Sequence, residues 1–99
     1  MDIKQTKDGN KLTIALSGRL DTTTAPQLEE ALASALDGVA DLVFDFSQIE
    51  YISSAGLRIL LNTQKKISAA GGSMKLTGVN DVVREVFEVT GFINILSIE

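Results

Sequence analysis

Between Lys11 and Gly78 the apolar residues of this chain switch repeatedly between two spacings, and that alternation most limits the folds open to it. Leu12, Ile14 and Leu16 fall at every second position with Thr13, Ala15 and Ser17 between them, as in a strand with one buried face. Leu28, Ala31, Leu32, Ala35 and Leu36 then recur at helical spacing. Leu42-Val43-Phe44-Asp45-Phe46, bounded by Asp41 and Ser47, is a β-branched and aromatic run that reads as a mostly buried strand. Leu57, Leu60, Leu61, Gln64, Ile67 and Ser68 return to the helical period, with Arg58, Lys65 and Lys66 mostly outside the stripe. Ser73 to Gly78 reads as a further strand. Strand, helix, strand, helix, strand implies right-handed crossovers and a largely parallel sheet.

The punctuation between these segments agrees. Asp2 to Lys7 is a weak first strand, and Asp8-Gly9-Asn10 is a turn whose glycine admits φ > 0, giving a hairpin with Lys11 to Gly18. Thr24-Ala25-Pro26-Gln27 has the form of a capping box with proline in the first turn, and Asp37-Gly38 ends that helix. Ser54 is the expected N-cap of the second helix, which runs to Ala70 and stops at Gly71-Gly72. Asn80 or Asp81 starts a third helix carrying Val83, Val86, Phe87 and Thr90 on one face; Gly91 stops it, and Phe92 to Ile98 supplies a final short strand or strand-like tail. The expectation is one α/β domain over residues 1–99, with a mixed, mostly parallel sheet, an N-terminal antiparallel hairpin strand and about three helices. The connections leaving the parallel strands, Arg19 to Thr24, Ser47 to Ser54 and Val79 to Asp81, should then gather at one sheet edge, where open α/β sheets place their sites.

Composition narrows the chemistry of that edge. The chain has no cysteine and no histidine, which removes disulfides, thiolate or imidazole zinc sites, and triads that need an imidazole base. A net charge of −4 with scattered lysines argues against direct nucleic-acid binding. No apolar run approaches the roughly 20 residues of a membrane span. Met1-Asp2-Ile3-Lys4-Gln5 lacks the basic start and apolar centre of a signal peptide, so a cytoplasmic protein without membrane contact is expected. The candidate acids Asp21, Asp45 and Glu50 share no recognisable catalytic spacing, and no phosphate-binding or dinucleotide fingerprint is present. Catalysis is therefore disfavoured and no cofactor is called for, with a Ser-Lys pair and a carboxylate-only metal site the alternatives left open by the residues alone.

Three blocks carry a resemblance. Gly18-Arg19-Leu20-Asp21-Thr22-Thr23-Thr24-Ala25, Val43-Phe44-Asp45-Phe46-Ser47 and Tyr51-Ile52-Ser53-Ser54-Ala55-Gly56-Leu57 resemble, in order and spacing, the signature blocks of the STAS domain, specifically of bacterial anti-sigma factor antagonists. The likeness spans essentially the whole chain, including Gly71-Gly72 and the helix from Val82 to Gly91. It implies a non-enzymatic switch, with no cofactor or metal site, in which the unmodified protein binds an anti-sigma factor that is also a serine kinase with a histidine-kinase-type ATPase domain, freeing a sigma factor. Phosphorylation of a serine at the start of the second helix turns the switch off, and a PP2C-type phosphatase restores it. The family's phosphoserine lies two residues before the Gly-Leu of an Asp-Ser-Ser/Thr-Gly-Leu motif, which places it on Ser54, with Ser53 the alternative. Here Ser53 stands in place of the aspartate and Ala55 in place of the following hydroxyl residue. Asp21, in the neighbouring loop, matches an acidic residue of the first block and is a candidate to supply the charge Ser53 lacks. The implied partner face comprises Asp21, Thr22, Thr23, Thr24, Ser53, Ser54, Ala55, Gly56, Leu57 and Arg58. The alternative function is a STAS interaction or small-ligand-sensing module that is not phosphorylated.

Overall fold

In the computed structural model, which describes residues 1–99, the alternating apolar positions become one face of a single sheet. β1 (Asp2–Asp8) pairs antiparallel with β2 (Lys11–Leu20). β2 pairs parallel with β3 (Asp41–Ile52), β3 with β4 (Ser73–Thr77), and β4 with the short β5 (Ser97–Ile98). The strand order is β1-β2-β3-β4-β5. Because each parallel strand lies beside its predecessor and right-handed crossovers join them, the connecting helices all fall on one face. These are α1 (Ala25–Ala35), α2 (Ser54–Ala69) and α3 (Asp81–Thr90), with a 3-10 turn at Phe92–Asn94 before β5.

Register confirms that one-sided arrangement. Leu12, Leu42 and Met74 line up across three strands, as do Ile14, Phe44 and Leu76. All six are buried in one core with Leu28 and Leu32 of α1, Leu57, Leu60 and Ile67 of α2, and Val83 and Phe87 of α3. The opposite face, with Thr13, Ala15, Asp45, Lys75 and Thr77 half-buried, is mainly polar and solvated. α2 buries more than its apolar stripe predicts. Ile59 and Thr63 are also buried, the Thr63 hydroxyl donating to the Ile59 carbonyl at 2.8 Å, whereas Ser68 is exposed.

Several boundaries move, β3 most. It was expected over Leu42 to Phe46 but continues to Ile52. The β2–β3 register shifts between Ala15 and Ser17 and again between Gly18 and Arg19, each time giving β3 an extra residue. Two such bulges space Phe46, Ile49 and Ile52 three residues apart, although all are buried, so the alternation that marks a strand disappears. The Asp45 carboxylate accepts the Ser47 amide at 2.9 Å beside the first bulge. That bond, with help from the Ser47 hydroxyl, lowers its pKa from the ordinary aspartate value.

Candidate functional site

The bulged end of β3 lies beside the end of β2, with Leu20 paired to Ile52. The Ser53 amide then donates to the Leu20 carbonyl at 2.9 Å, locking the entry of α2 to the exit of β2. On the other side, the Asn80 side-chain amide donates to the Ile49 carbonyl at 2.8 Å while its Oδ1 accepts the Val83 amide at 2.8 Å, capping α3. The starts of α1, α2 and α3 therefore converge at the carboxyl edge of the sheet, as the topology requires.

Ser54 is fully helical and exposed; it is the first residue of α2, not its cap. The N-cap position belongs to Ser53, whose backbone is extended, with φ −101° and ψ 176°. Ser53 makes no side-chain cap bond, and its Oγ is buried without a hydrogen-bond partner. The first turn of α2 also contains no acidic residue. Its free amides and the positive end of its dipole thus lack any side-chain anion, next to an exposed hydroxyl.

Gly56 explains how the turn sits so close to the sheet. A Cβ there would lie 2.7 Å from Leu20 Cγ and 2.8 Å from Ile52 Cγ1. Gly56 and Leu57 are both buried, so their side-chain positions face the core and not a partner. Of the expected face, Thr22, Thr23, Ser54 and Arg58 are exposed, and Asp21, Thr24, Ser53 and Ala55 are half-buried. The exposed surface is narrower than the motif suggested.

The loop before α1 is built on Asp21. Its Oδ1 accepts the Thr23 amide at 3.0 Å, the Thr23 hydroxyl at 2.7 Å and the Thr24 amide at 3.2 Å. The Thr23 hydroxyl does most to hold the carboxyl below the ordinary aspartate range; desolvation opposes it, and the Thr24 and Thr23 amides add to the lowering. Its Oδ1 is thus engaged within its own loop and bonds to no group of α2. The expected capping box is also absent. The Thr24 hydroxyl donates to the Arg19 carbonyl at 2.7 Å and accepts the Asp21 amide at 2.9 Å, while Gln27 donates to the Met1 carbonyl at 3.0 Å.

Sequence reasoning missed Arg19, Tyr51 and Asn80 as parts of the site. The β2–β3 register sets the Arg19 guanidinium 4.8 Å from the Tyr51 ring centroid, with Asp21 Oδ2 at 3.6 Å from Arg19 Nε. Both residues lie within the signature blocks, but only the register pairs them. No three acidic side chains gather in a metal-binding cluster, and no helix is long and apolar enough to cross a membrane.

Comparison with known proteins agrees with this geometry. The protein family described as "Mlab, STAS domain" matches residues 3–97. The chain is 36% identical to BtrV of Bordetella bronchiseptica, a candidate anti-sigma factor antagonist, over 99% of this chain and 85% of that protein. It is 31% identical to the anti-sigma-B factor antagonist of Bacillus subtilis, over 99% of this chain and 88% of that protein. Its fold is similar to that of the anti-sigma factor antagonist SpoIIAA in unphosphorylated form (TM-score 0.85, 20% identity, 99% of this chain and 88% of that one). SpoIIAA of Bacillus in its phosphorylated form gives a TM-score of 0.77 at 19% identity, over 99% of this chain and 91% of that one.

Proposed function

The chain belongs to the STAS domain family, and from that premise we propose that it is an anti-sigma factor antagonist switched by phosphorylation of Ser54. It is a regulatory binding protein and not an enzyme, acting in the cytoplasm. Unmodified, it binds an anti-sigma factor that is also a serine kinase with a histidine-kinase-type ATPase domain, so that a sigma factor is released. The kinase transfers the γ-phosphoryl of ATP to Ser54 Oγ, the hydroxyl proton is lost and ADP leaves. A PP2C-type phosphatase hydrolyses the ester. The observation that carries this reading is the contrast between two neighbours: Ser54 is exposed on the first turn of α2, while the Ser53 hydroxyl is buried. A kinase reaches the first without disturbing the fold and the second only by opening the helix start.

A phosphate adds about −1.5 to −2 charge and three acceptor oxygens. Over the uncapped start of α2 that charge is favourable, so the fold should persist. The cost falls on the interface, where a partner packed on Ser54 and Arg58 must desolvate a dianion or meet it with a carboxylate. About 3 kcal/mol of such cost weakens binding more than a hundredfold.

A second reading rests on a groove of about 460 Å³ between α1 and α2, floored by Leu32 and Ile59 and edged by Lys65 and Lys66. It suits an unphosphorylated STAS module that senses a small ligand. One experiment separates the two. The chain is recovered from its own cells with its ATPase-domain partner, incubated with that partner and ATP, and analysed by intact mass and site mapping. A single phosphate on Ser54 and loss of the complex support the switch; an unmodified chain that stays bound supports the second reading.

A further inference from the structure

Ser54 and Arg58 lie one helical turn apart on α2, and both are exposed. On an α-helix, residues i and i+4 are neighbours and side chains lean toward the N-terminus, so Arg58 leans back toward the Ser54 position. Nothing bulky stands between them: Gly56 and Leu57 are buried, and Ala55 is a single methyl group. Arg58 is also uncommitted. The two ion pairs of the molecule are Arg19–Asp21 and Lys75–Glu99, and the first turn of α2 holds no acid that competes for the guanidinium.

We infer that Arg58 is an intramolecular clamp for the phosphate on Ser54, a role that rests on the reading of Ser54 as the modified residue. The order is the favourable one, anion N-terminal to cation at i and i+4, and a guanidinium presents paired N–H donors that match phosphate oxygens. The clamp changes the partner face twice. It adds a phosphate at Ser54, and it withdraws Arg58 as a free cation one turn further along. It also favours the dianion at neutral pH, the form that is costliest to bury in an interface.

The test does not need the kinase. Phosphoserine is installed at position 54 during translation in the wild-type background and in Arg58→Lys and Arg58→Gln chains, and its second ionisation is followed by phosphorus NMR between about pH 4 and 8. The dipole of α2 acts equally in all three, so differences report residue 58. The midpoint is expected lowest with arginine, close behind with lysine, and higher by about 0.5 with glutamine. Raising salt to about 0.5 M should shrink that gap. Equal midpoints in the three chains would overturn the clamp. If the kinase leaves Ser54 unmodified while the installed phosphoserine titrates as expected, the clamp stands and the kinase reading falls. If the kinase modifies Ser54 but the midpoints coincide, the reverse holds.

Discussion

Ser53 and Ser54 differ by one position in the chain and by one change of backbone conformation, extended at the first and helical at the second. That change buries one hydroxyl and exposes the other. Ser54→Ala removes no hydrogen bond, so stability should stay within about 0.5 kcal/mol of wild type while partner binding persists and switching is lost. Urea unfolding beside a phosphorylation assay checks both halves. Ser53→Ala should be equally mild, because its Oγ has no partner to lose; Ser53→Asp places an acceptor at an extended N-cap and should add up to about 1 kcal/mol. A loss of 1–2 kcal/mol in Ser53→Ala would mean that the hydroxyl caps α2 in solution. Acid acts on other residues. Asp21 and Asp45 are held below the ordinary carboxylate range by donors that favour the ionised form, first the Thr23 hydroxyl and the Ser47 amide respectively. Their contribution is present above the unfolded value near 4 and is lost as pH falls through the lower folded values. Melting curves from pH 7 to pH 3 should therefore fall less steeply in Asp45→Asn than in wild type. That a serine opens the second helix was legible in the sequence. Which serine caps it was not, because that depends on a ψ angle the composition does not encode.

At the scale of elements, hydrophobic period located every helix and most strands, and it failed where the backbone breaks its own period. The bulges of β3 put Phe46, Ile49 and Ile52 on one buried set at a spacing that is neither two nor 3.6, so Ser47 to Ile52 reads as a loop. Capping chemistry failed for a related reason: Thr24 and Gln27 have the composition of a capping box, yet both side chains bond to strand and terminal backbone instead. The contact that seats α2 against the sheet is Gly56. Gly56→Ala would press a methyl into Leu20 and Ile52, with a destabilisation of about 1–3 kcal/mol expected from overpacking and a shift of the α2 start. Chemical denaturation with amide shift mapping should show both, and a neutral Gly56→Ala would mean that α2 sits further from the sheet.

The whole molecule follows from two rules applied to one alternation. Right-handed connections between neighbouring parallel strands put three helices on one face and three helix starts at one edge, which made that edge legible before any register was known. The pairing of Arg19 with Tyr51 and the bond from Asn80 to β3 depend on register and side-chain reach, and they were not. One claim ties this architecture to the proposed switch: a phosphate on Ser54 acts at an interface and leaves the fold intact. The direct test is to take unmodified, Ser54→Asp and phosphorylated samples and to record thermal unfolding and partner titration on each. The expected result is a melting temperature unchanged or slightly raised in both charged forms, with affinity reduced more than a hundredfold by phosphate and less by Asp, which carries less charge and fewer acceptors. Unchanged affinity in both charged forms, or a collapsed melting curve on phosphorylation, would contradict it.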